Sequence, residues 1–193
     1  MRKILFIICW ALAGVGLYSC SLDEPSYGKT TSDNYYQKES DIEQALTGAY
    51  LQLRTTWNEY ALNHYFVGDC STDDALKGGG NDGDRAEVRD LSDFTIYTTN
   101  GEVGRRWEIL YRLINRCNDV IYYAPDAIGN EELLKRYANE AKALRAFGYY
   151  CLVTTFGEVP LITTPMQPAE ILQIPRSPLE KVYECIVNDL TDA

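Results

Sequence analysis

The sequence has little histidine and little positive charge. Its 193 residues include one histidine, His64, and 18 lysines and arginines against 28 aspartates and glutamates, for a formal net charge of −10 at neutral pH. A surface this acidic repels the phosphates of nucleic acids, so we expect no nucleic-acid partner. No serine or cysteine motif lies near His64 in the sequence to suggest a catalytic triad, and we interpret it as a surface or loop residue.

Cysteines are also few in the part of the chain that we expect to fold. Cys70, Cys117, Cys151 and Cys185 remain once the N-terminal segment described below is set aside, and none is spaced like a zinc or redox pair. Three of the four fall at apolar positions of predicted helices, where a thiol behaves as a small buried hydrophobic group. A disulfide is the alternative interpretation. We assign these cysteines no chemistry.

The acidic residues form no recognisable metal or catalytic motif. Residues 81–84 read Asn-Asp-Gly-Asp, but they lack the twelve-residue order of an EF-hand, and their chemistry favours a turn. Because 28 carboxylates guarantee chance pairs, their presence does not indicate a glycosidase. We therefore predict no metal ion, no cofactor and no catalytic residue.

The first residues are typical of a secretory signal. Arg2 and Lys3 precede an uncharged apolar run over residues 4–17, which is too short to span a bilayer comfortably. The run ends in Leu-Tyr-Ser followed by Cys20, which resembles the lipobox at which bacterial lipoprotein signals are cut and the cysteine is acylated. An ordinary cleaved signal with an unrelated cysteine is the alternative. We predict a signal peptide over residues 1–19 and a lipid on Cys20.

Cleavage before Cys20 would leave a still more acidic protein. It removes two bases and no acid, so the net charge becomes −12. No basic patch follows Cys20 to bind anionic lipid headgroups, and the lipid itself must supply most of the anchoring. Residues 20–38 are polar and rich in turn formers, and we interpret them as a leader between the lipid and the folded body.

Two predicted helices lie on either side of a long aperiodic segment. A capping box of Ser40 with Glu43 predicts a helix that ends near residue 55, and one of Thr99 with Glu102 predicts a helix through residue 121. The helical period is absent between residues 57 and 100, which are predicted to form a long loop, and we call residues 65–100, with the glycine run 78–80, the insertion. Loops of this length inside compact domains are usually functional or disordered.

Two further helices are predicted towards the C-terminus. One begins at about residue 131 and ends at Gly157, and a shorter one opens at the Ser-Pro-Leu-Glu of residues 177–180. The short link at residues 124–129 should make the helices before and after it pack antiparallel. Trp107 lies on the apolar face of the helix before this link and is predicted to be a core residue. The chain ends inside the last helix, and we expect it to be the N-terminal piece of a longer protein.

Four sequence stretches follow one another in a characteristic order: WEILYRLINRCN at residues 107–118, EAKALRAFGYY at 140–150, LVTTFGEVPL at 152–161 and PRSPLEKVY at 175–183. This order is similar to that of the SusD/RagB family. The resemblance implies an all-α fold of tetratricopeptide-like helix pairs with long inserted loops, here over residues 39–193. It also implies a lipoprotein on the bacterial outer membrane and cell surface, without enzyme activity.

The same resemblance implies partners and a function. Family members act as a lid over a SusC-type TonB-dependent transporter and capture glycans, or in some branches peptides, for import. We compare this hypothesis with two others: a helical-repeat scaffold that binds only proteins, and a secreted glycan-active enzyme. A scaffold would not require a long insertion rich in glycine, aspartate and aromatic residues.

Candidate ligand-binding residues lie in the insertion, where no apolar helix face accounts for them. An aromatic ring stacks on the C–H face of a sugar while acids and arginines bond its hydroxyls. We therefore predict ligand contacts from Asp73, Asp74, Arg85, Phe94 and Tyr97. Arg145 occupies a family motif, but it lies on a helix otherwise packed by alanine and leucine, so we interpret it as a tie between helices.

The lipidation hypothesis makes a direct prediction. Metabolic labelling with a palmitate analogue should mark the wild-type protein, and Cys20→Ala should abolish the label because no acceptor thiol then follows the signal. Labelling of the variant at the wild-type level would reject Cys20 as the anchor.

Overall fold

The computed structural model describes residues 34–54, 60–81 and 83–193, and within these ranges the protein is helical with no β-strand. The predicted signal peptide, Cys20 and most of the predicted leader lie outside the described residues. Seven α-helices fall within those ranges: α1 Glu39–Tyr50, α2 Tyr60–Gly68, α3 Ala86–Ser92, α4 Gly101–Tyr123, α5 Glu131–Phe156, α6 Pro168–Ile171 and α7 Leu179–Asp192. The all-α prediction is confirmed. None of these helices is long and apolar enough to cross a membrane.

The two longest helices, α4 and α5, pack antiparallel, as predicted. Arg106 near the start of α4 donates to Thr155 near the end of α5 (2.9 Å), while Asn118 further along α4 meets Arg145 (2.9 Å). A close approach of the two helices needs a small residue, and a Cβ at Gly148 would lie 3.0 Å from Ile114. The pair is the central layer against which α1 and α7 pack.

The core has two main clusters along this pair. One joins α4 and α5 to α1, and the other joins them to α7 and α2. The fully buried side chains include Ile42, Leu110, Leu113, Ile114, Tyr149, Leu152 and Val182. Because each helix presents apolar residues three and four positions apart, the sequence pattern and the observed core agree.

Two helix starts differ from the predicted ones. α4 is capped by Asn100, whose side chain accepts from the backbone of Glu102 (3.0 Å) and Val103 (3.2 Å), so the predicted cap at Thr99 is wrong by one residue. α1 begins at Glu39, and the Asp41 carboxylate accepts from the Lys38 backbone N–H (3.0 Å) instead of the predicted Ser40 and Glu43 pair. Several capping residues lie side by side in both places, and helix length does not choose among them.

The insertion is not the continuous loop that the sequence predicts. It contains the last four residues of α2, the 3-10 turn Asp69–Ser71 and α3. The helices have nine and seven residues, too few for a clear apolar period, which explains why the pattern failed to show them. They bury a small cluster of their own: Phe66, Cys70, Val88 and Leu91.

The connection from α5 to α7 is held against the helices. After Gly157, the carbonyl of Pro160 accepts from Tyr111 Oη (2.7 Å). Both backbone groups of Ile162 bond Tyr149 Oη at 2.7 Å, and its carbonyl also accepts from Asn118 (2.9 Å). The connection, which includes the short helix α6, is hydrogen-bonded to three side chains of the long helices and is therefore part of the packed structure.

Arg145 ties three helices and this connection together, which confirms its interpretation as a structural residue. Its Nε and Nη2 donate to the two oxygens of Asp189 on α7 (2.8 and 2.7 Å). Its Nη1 donates to Asn118 on α4 and to the Thr163 carbonyl, both at 2.9 Å. Arg145 and Asp189 are 6% and 5% exposed, so the pair is buried and fully hydrogen-bonded.

The four cysteines of the described residues are free thiols. Cys70, Cys117 and Cys151 are buried and Cys185 is half-buried, so the small hydrophobic role extends to Cys70, which sequence had placed in a loop. Burial raises the pKa of the Cys117 thiol to about 12, which keeps it protonated and unreactive.

Removal of the Arg145 charge should destabilise the fold strongly. Arg145→Met leaves Asp189 buried without a partner, which costs about 3–5 kcal/mol in the free energy of unfolding measured by urea denaturation. Arg145→Met/Asp189→Leu should recover most of that loss, because no unpaired charge then remains. Lys142→Met, which breaks the partly exposed ion pair with Asp192, is the control and should leave the midpoint nearly unchanged. A midpoint for Arg145→Met equal to the control would contradict this role.

Candidate ligand-binding site

One buried carboxylate fixes the insertion to the start of α4. Glu102 is 5% exposed and accepts from Arg85, which precedes α3 (3.3 Å), and from Asn63 of α2 (3.1 Å). Asn63 also donates to the Glu102 carbonyl (2.8 Å), and Arg105 lies 3.6 Å from the carboxylate. Because a buried carboxylate is stable only with such partners, Glu102 holds α2, α3 and α4 in one arrangement.

A second contact fixes α2 to the long helices. Arg106 Nη1 lies 3.2 Å from His64 Nδ1, and the same guanidinium donates to Thr155 of α5. Partial desolvation of the ring, together with the positive charge of Arg106, lowers the pKa of His64, so the neutral imidazole can accept at Nδ1. His64 is an exposed residue on a helix and not in a loop, and its contacts are structural.

The loop that follows α3 presents three exposed apolar side chains. Phe94 and Tyr97 are each 66% exposed and Ile96 is 49% exposed. The loop has an ordered start, since Thr95 N donates to the Asp90 carbonyl (2.9 Å) and closes the end of α3. We call residues 94–97 the aromatic loop. A cluster of exposed apolar side chains on a hydrogen-bonded loop is typical of a binding surface.

Phe94 adopts a backbone conformation that is unfavourable for its residue type. Its φ of 56° lies in the left-handed region, in the position after a helix that glycine usually occupies. A residue with a Cβ loses about 1–2 kcal/mol there. The ring is exposed and gains little from packing in return, so packing of the ring does not account for the strain.

The structure brings only some of the predicted site residues towards the aromatic loop. Asp73 and Asp74 are exposed in a segment that reaches the end of α3, where Lys77 N donates to Ser92 Oγ (3.3 Å). Arg85 lies at the other end of α3, nine residues before Phe94 and about 13 Å away along a helix axis. Its guanidinium contacts Glu102 and lies 4.7 Å from the centre of the Phe66 ring. The ligand contacts of all five residues stay predictions.

Asn81 makes the side-chain contacts of the turn that the sequence favours here. Asn81 Oδ1 accepts from the backbone of Gly83 (2.9 Å) and Asp84 (3.1 Å). Across the portion of the chain that the structure describes, no three His, Cys, Asp or Glu side chains group together in a way that would hold a metal ion.

Sequence reasoning missed a cavity between α4 and the connection to α7. The cavity has a volume of about 390 Å³ and is mainly apolar, and we call it the α4 cleft. Its lining residues are Trp107, Tyr111, Ile114, Asn115, Asn118, Pro160, Ile162, Ile171 and Leu172. The wall from residues 160–172 carries no helical period of its own, so the sequence offered no signal that it would meet α4 here.

The α4 cleft corrects the interpretation of Trp107. The ring is half-buried, packs edge-on against Phe156 with centroids 5.1 Å apart, and lies 4.8 Å from the Tyr111 ring. It therefore lies at the boundary between the core and the cleft, and not inside the core as predicted. The apolar period places a residue on the inward face of a helix but does not show where that face ends.

Comparison with known proteins identifies the family. A SusD-like family model, described as starch-binding and associating with the outer membrane, matches residues 21–193. The chain belongs to the SusD-like family. SusD-like protein P2 of Formosa agariphila is 30% identical over 193 residues, which cover 97% of this chain and 36% of that protein. The chain thus spans about a third of the length of the curated relatives it matches.

Solved SusD-like structures share the fold. A laminarin-binding SusD-like protein is 31% identical with a TM-score of 0.72, over 81% of this chain and 34% of that one. Surface glycan-binding protein A from Bacteroides fluxus is 29% identical with a TM-score of 0.69, over 81% and 33% of the two chains. The helix pairs and inserted segments described above are therefore a SusD-like arrangement.

The strain at Phe94 can be measured directly. Phe94→Gly should raise the free energy of unfolding by about 0.5–1 kcal/mol, because relief of the left-handed strain outweighs the greater freedom of glycine in the unfolded chain. Phe94→Ala removes the same ring but keeps a Cβ, and should bring no such gain. Urea denaturation of both variants compares them. A less stable Phe94→Gly would show that the ring contributes to packing.

Proposed function

We propose that this SusD-like protein captures a glycan at the cell surface and passes it to a SusC-type TonB-dependent transporter. The family description, starch-binding and associating with the outer membrane, supports the ligand class and the location. The names of two similar solved proteins, one laminarin-binding and one surface glycan-binding, support the same ligand class. A peptide is the second candidate ligand, because the resemblance implies that some branches of the family capture peptides.

The observation that carries the proposal is the aromatic loop. Two rings that are 66% exposed stand on a loop whose position is fixed through α3 to the buried Glu102. A ring held in place loses little conformational entropy when a sugar stacks on it, and a strained backbone at Phe94 is maintained without a packing benefit. Asp73 and Asp74 would supply hydroxyl contacts from the neighbouring segment, and Arg85 would do so only where a long glycan extends past α3.

The anchor and the transporter are parts of the same proposal. A lipid on Cys20 would hold the protein at the outer membrane, and the polar leader would space the helical body from the lipid. The last described part of the leader packs on α4, where Tyr36 stacks on Tyr123 and donates to Asp119 (3.2 Å). The folded body would therefore begin directly at the end of the leader.

We propose binding without conversion of the glycan. The carboxylates near the aromatic loop, Asp73, Asp74 and Asp93, are exposed to water. A glycosidase acid needs a raised pKa, which requires burial or a second close carboxylate. Exposed aromatic residues also occur at protein interfaces, so a binding experiment must distinguish a glycan-binding protein from a protein-binding scaffold.

Loss of both rings should weaken glycan binding. Phe94→Ala/Tyr97→Ala removes two stacking platforms, and the scale measured for aromatic stacking on bases gives a loss of about 1–3 kcal/mol, roughly 5- to 150-fold in Kd. Calorimetry with the oligosaccharide that the wild type binds is the measurement. Helicity measured by circular dichroism should not change, because neither ring is buried.

A matched control separates the site from general surface stickiness. Tyr122→Ala removes a ring of similar exposure (55%) near the far end of α4 and should leave the affinity unchanged. Undiminished binding by the double variant would place the glycan elsewhere. Release of new reducing ends by the wild-type protein would show an enzyme, and binding of proteins but no glycan would favour the scaffold.

A further inference from the structure

The insertion that carries the aromatic loop has a strong charge bias. Residues 65–100 contain eight aspartates and glutamates and three lysines and arginines, for a formal net charge of −5. A glycan that stacks on Phe94 and Tyr97 approaches this surface. The positions of the charged side chains of the insertion therefore decide which glycans bind.

Each of the three cations is already used within the protein. Arg85 donates to the buried Glu102 and lies over Phe66. Arg89 pairs with Asp90 (3.1 Å), and Lys77 Nζ donates to the Asn81 carbonyl (2.8 Å). The charges of Arg85 and Arg89 are thus already offset by internal carboxylates, and Lys77 is the one of the three whose described partner is uncharged.

Three carboxylates of the insertion, unlike these cations, have no internal partner in the part of the chain that the structure describes. Asp73, Asp74 and Asp93 are exposed, and no side-chain partner is found for them among the described residues. Asp93 directly precedes Phe94, and the segment of Asp73 and Asp74 reaches the end of α3 through the contact of Lys77 with Ser92. Unpaired negative charge therefore lies directly beside the aromatic loop at Asp93, within the Debye length of about 8 Å in physiological salt.

We propose that the aromatic loop selects uncharged glycans and rejects those built from uronic acids or sulfated sugars. The inference rests on the proposed function, since it concerns the ligand of the same site. An anionic sugar on the rings would meet the repulsion of Asp93, while the charges of Arg85 and Arg89 are already paired with carboxylates. A neutral sugar meets the same oxygens as hydrogen-bond acceptors for its hydroxyls.

The experiment compares glycans that differ only in charge. Laminarihexaose, maltohexaose and β-1,4-mannohexaose are each tested by calorimetry beside their C6-oxidised uronate forms, which keep the linkage and length. We expect at least one neutral hexasaccharide to bind, and its oxidised form to bind at least about tenfold more weakly at low salt. The difference should shrink in 0.5 M NaCl, because salt screens exposed charges.

Charge-neutral variants test where the rejection arises. Asp73→Asn/Asp74→Asn/Asp93→Asn keeps hydrogen-bonding groups in place and should reduce the tenfold difference to about threefold or less. Asp126→Asn/Glu131→Gln/Glu132→Gln removes the same charge near the other end of α4, about 35 Å from its start, and should leave the difference unchanged. An equal effect of the two triple variants would assign the rejection to net charge and overturn the local origin.

The outcomes separate this inference from the proposed function. Uronate hexasaccharides that bind as tightly as neutral ones, with binding lost in Phe94→Ala/Tyr97→Ala, would overturn the charge selection and leave the site intact. Binding of no hexasaccharide of either kind, or binding that ignores the two rings, would reject the proposed site and the inference with it.

Discussion

A guanidinium taken out of water needs a partner for nearly every N–H group, and Arg145 finds its partners on different elements. Asp189 comes from α7, Asn118 from α4 and the Thr163 carbonyl from the connection between α5 and α7. A change in the packing of any of these would leave a buried charge unsatisfied. Arg145 therefore joins the helix pair, its flanking helix and the connection that forms the wall of the α4 cleft.

A second buried charge, the carboxylate of Glu102, positions the candidate site. Glu102 is buried at the start of α4, and its partners are Asn63 of the short helix α2 and Arg85 directly before the short helix α3. Helices of nine and seven residues are too short to be stable alone, so their position depends on these tertiary contacts. The buried acid and arginine have structural tasks, and this leaves exposed rings and exposed aspartates to meet a ligand.

Strain and charge then give the aromatic loop its character. Phe94 holds a glycine-like conformation while its ring faces water, and nearby cations are occupied by internal acids or carbonyls. A surface of fixed rings and unpaired carboxylates suits a partner that offers C–H faces and hydroxyl groups without negative charge. The α4 cleft, by contrast, is mainly apolar, and two of its polar side chains, Asn118 and Tyr111, already bond the connection.

The sequence by itself determined the long helices, their antiparallel packing and the structural role of Arg145, because an apolar period over more than twenty residues has one solution. It also determined the family, through the order of several motifs. Only the tertiary structure decided the short helices of the insertion, the cap at Asn100, the half-buried position of Trp107 and the task of Arg85. Each of these depends on contacts between residues far apart in the chain, such as Arg85 with Glu102, and local pattern carries no information about such pairs.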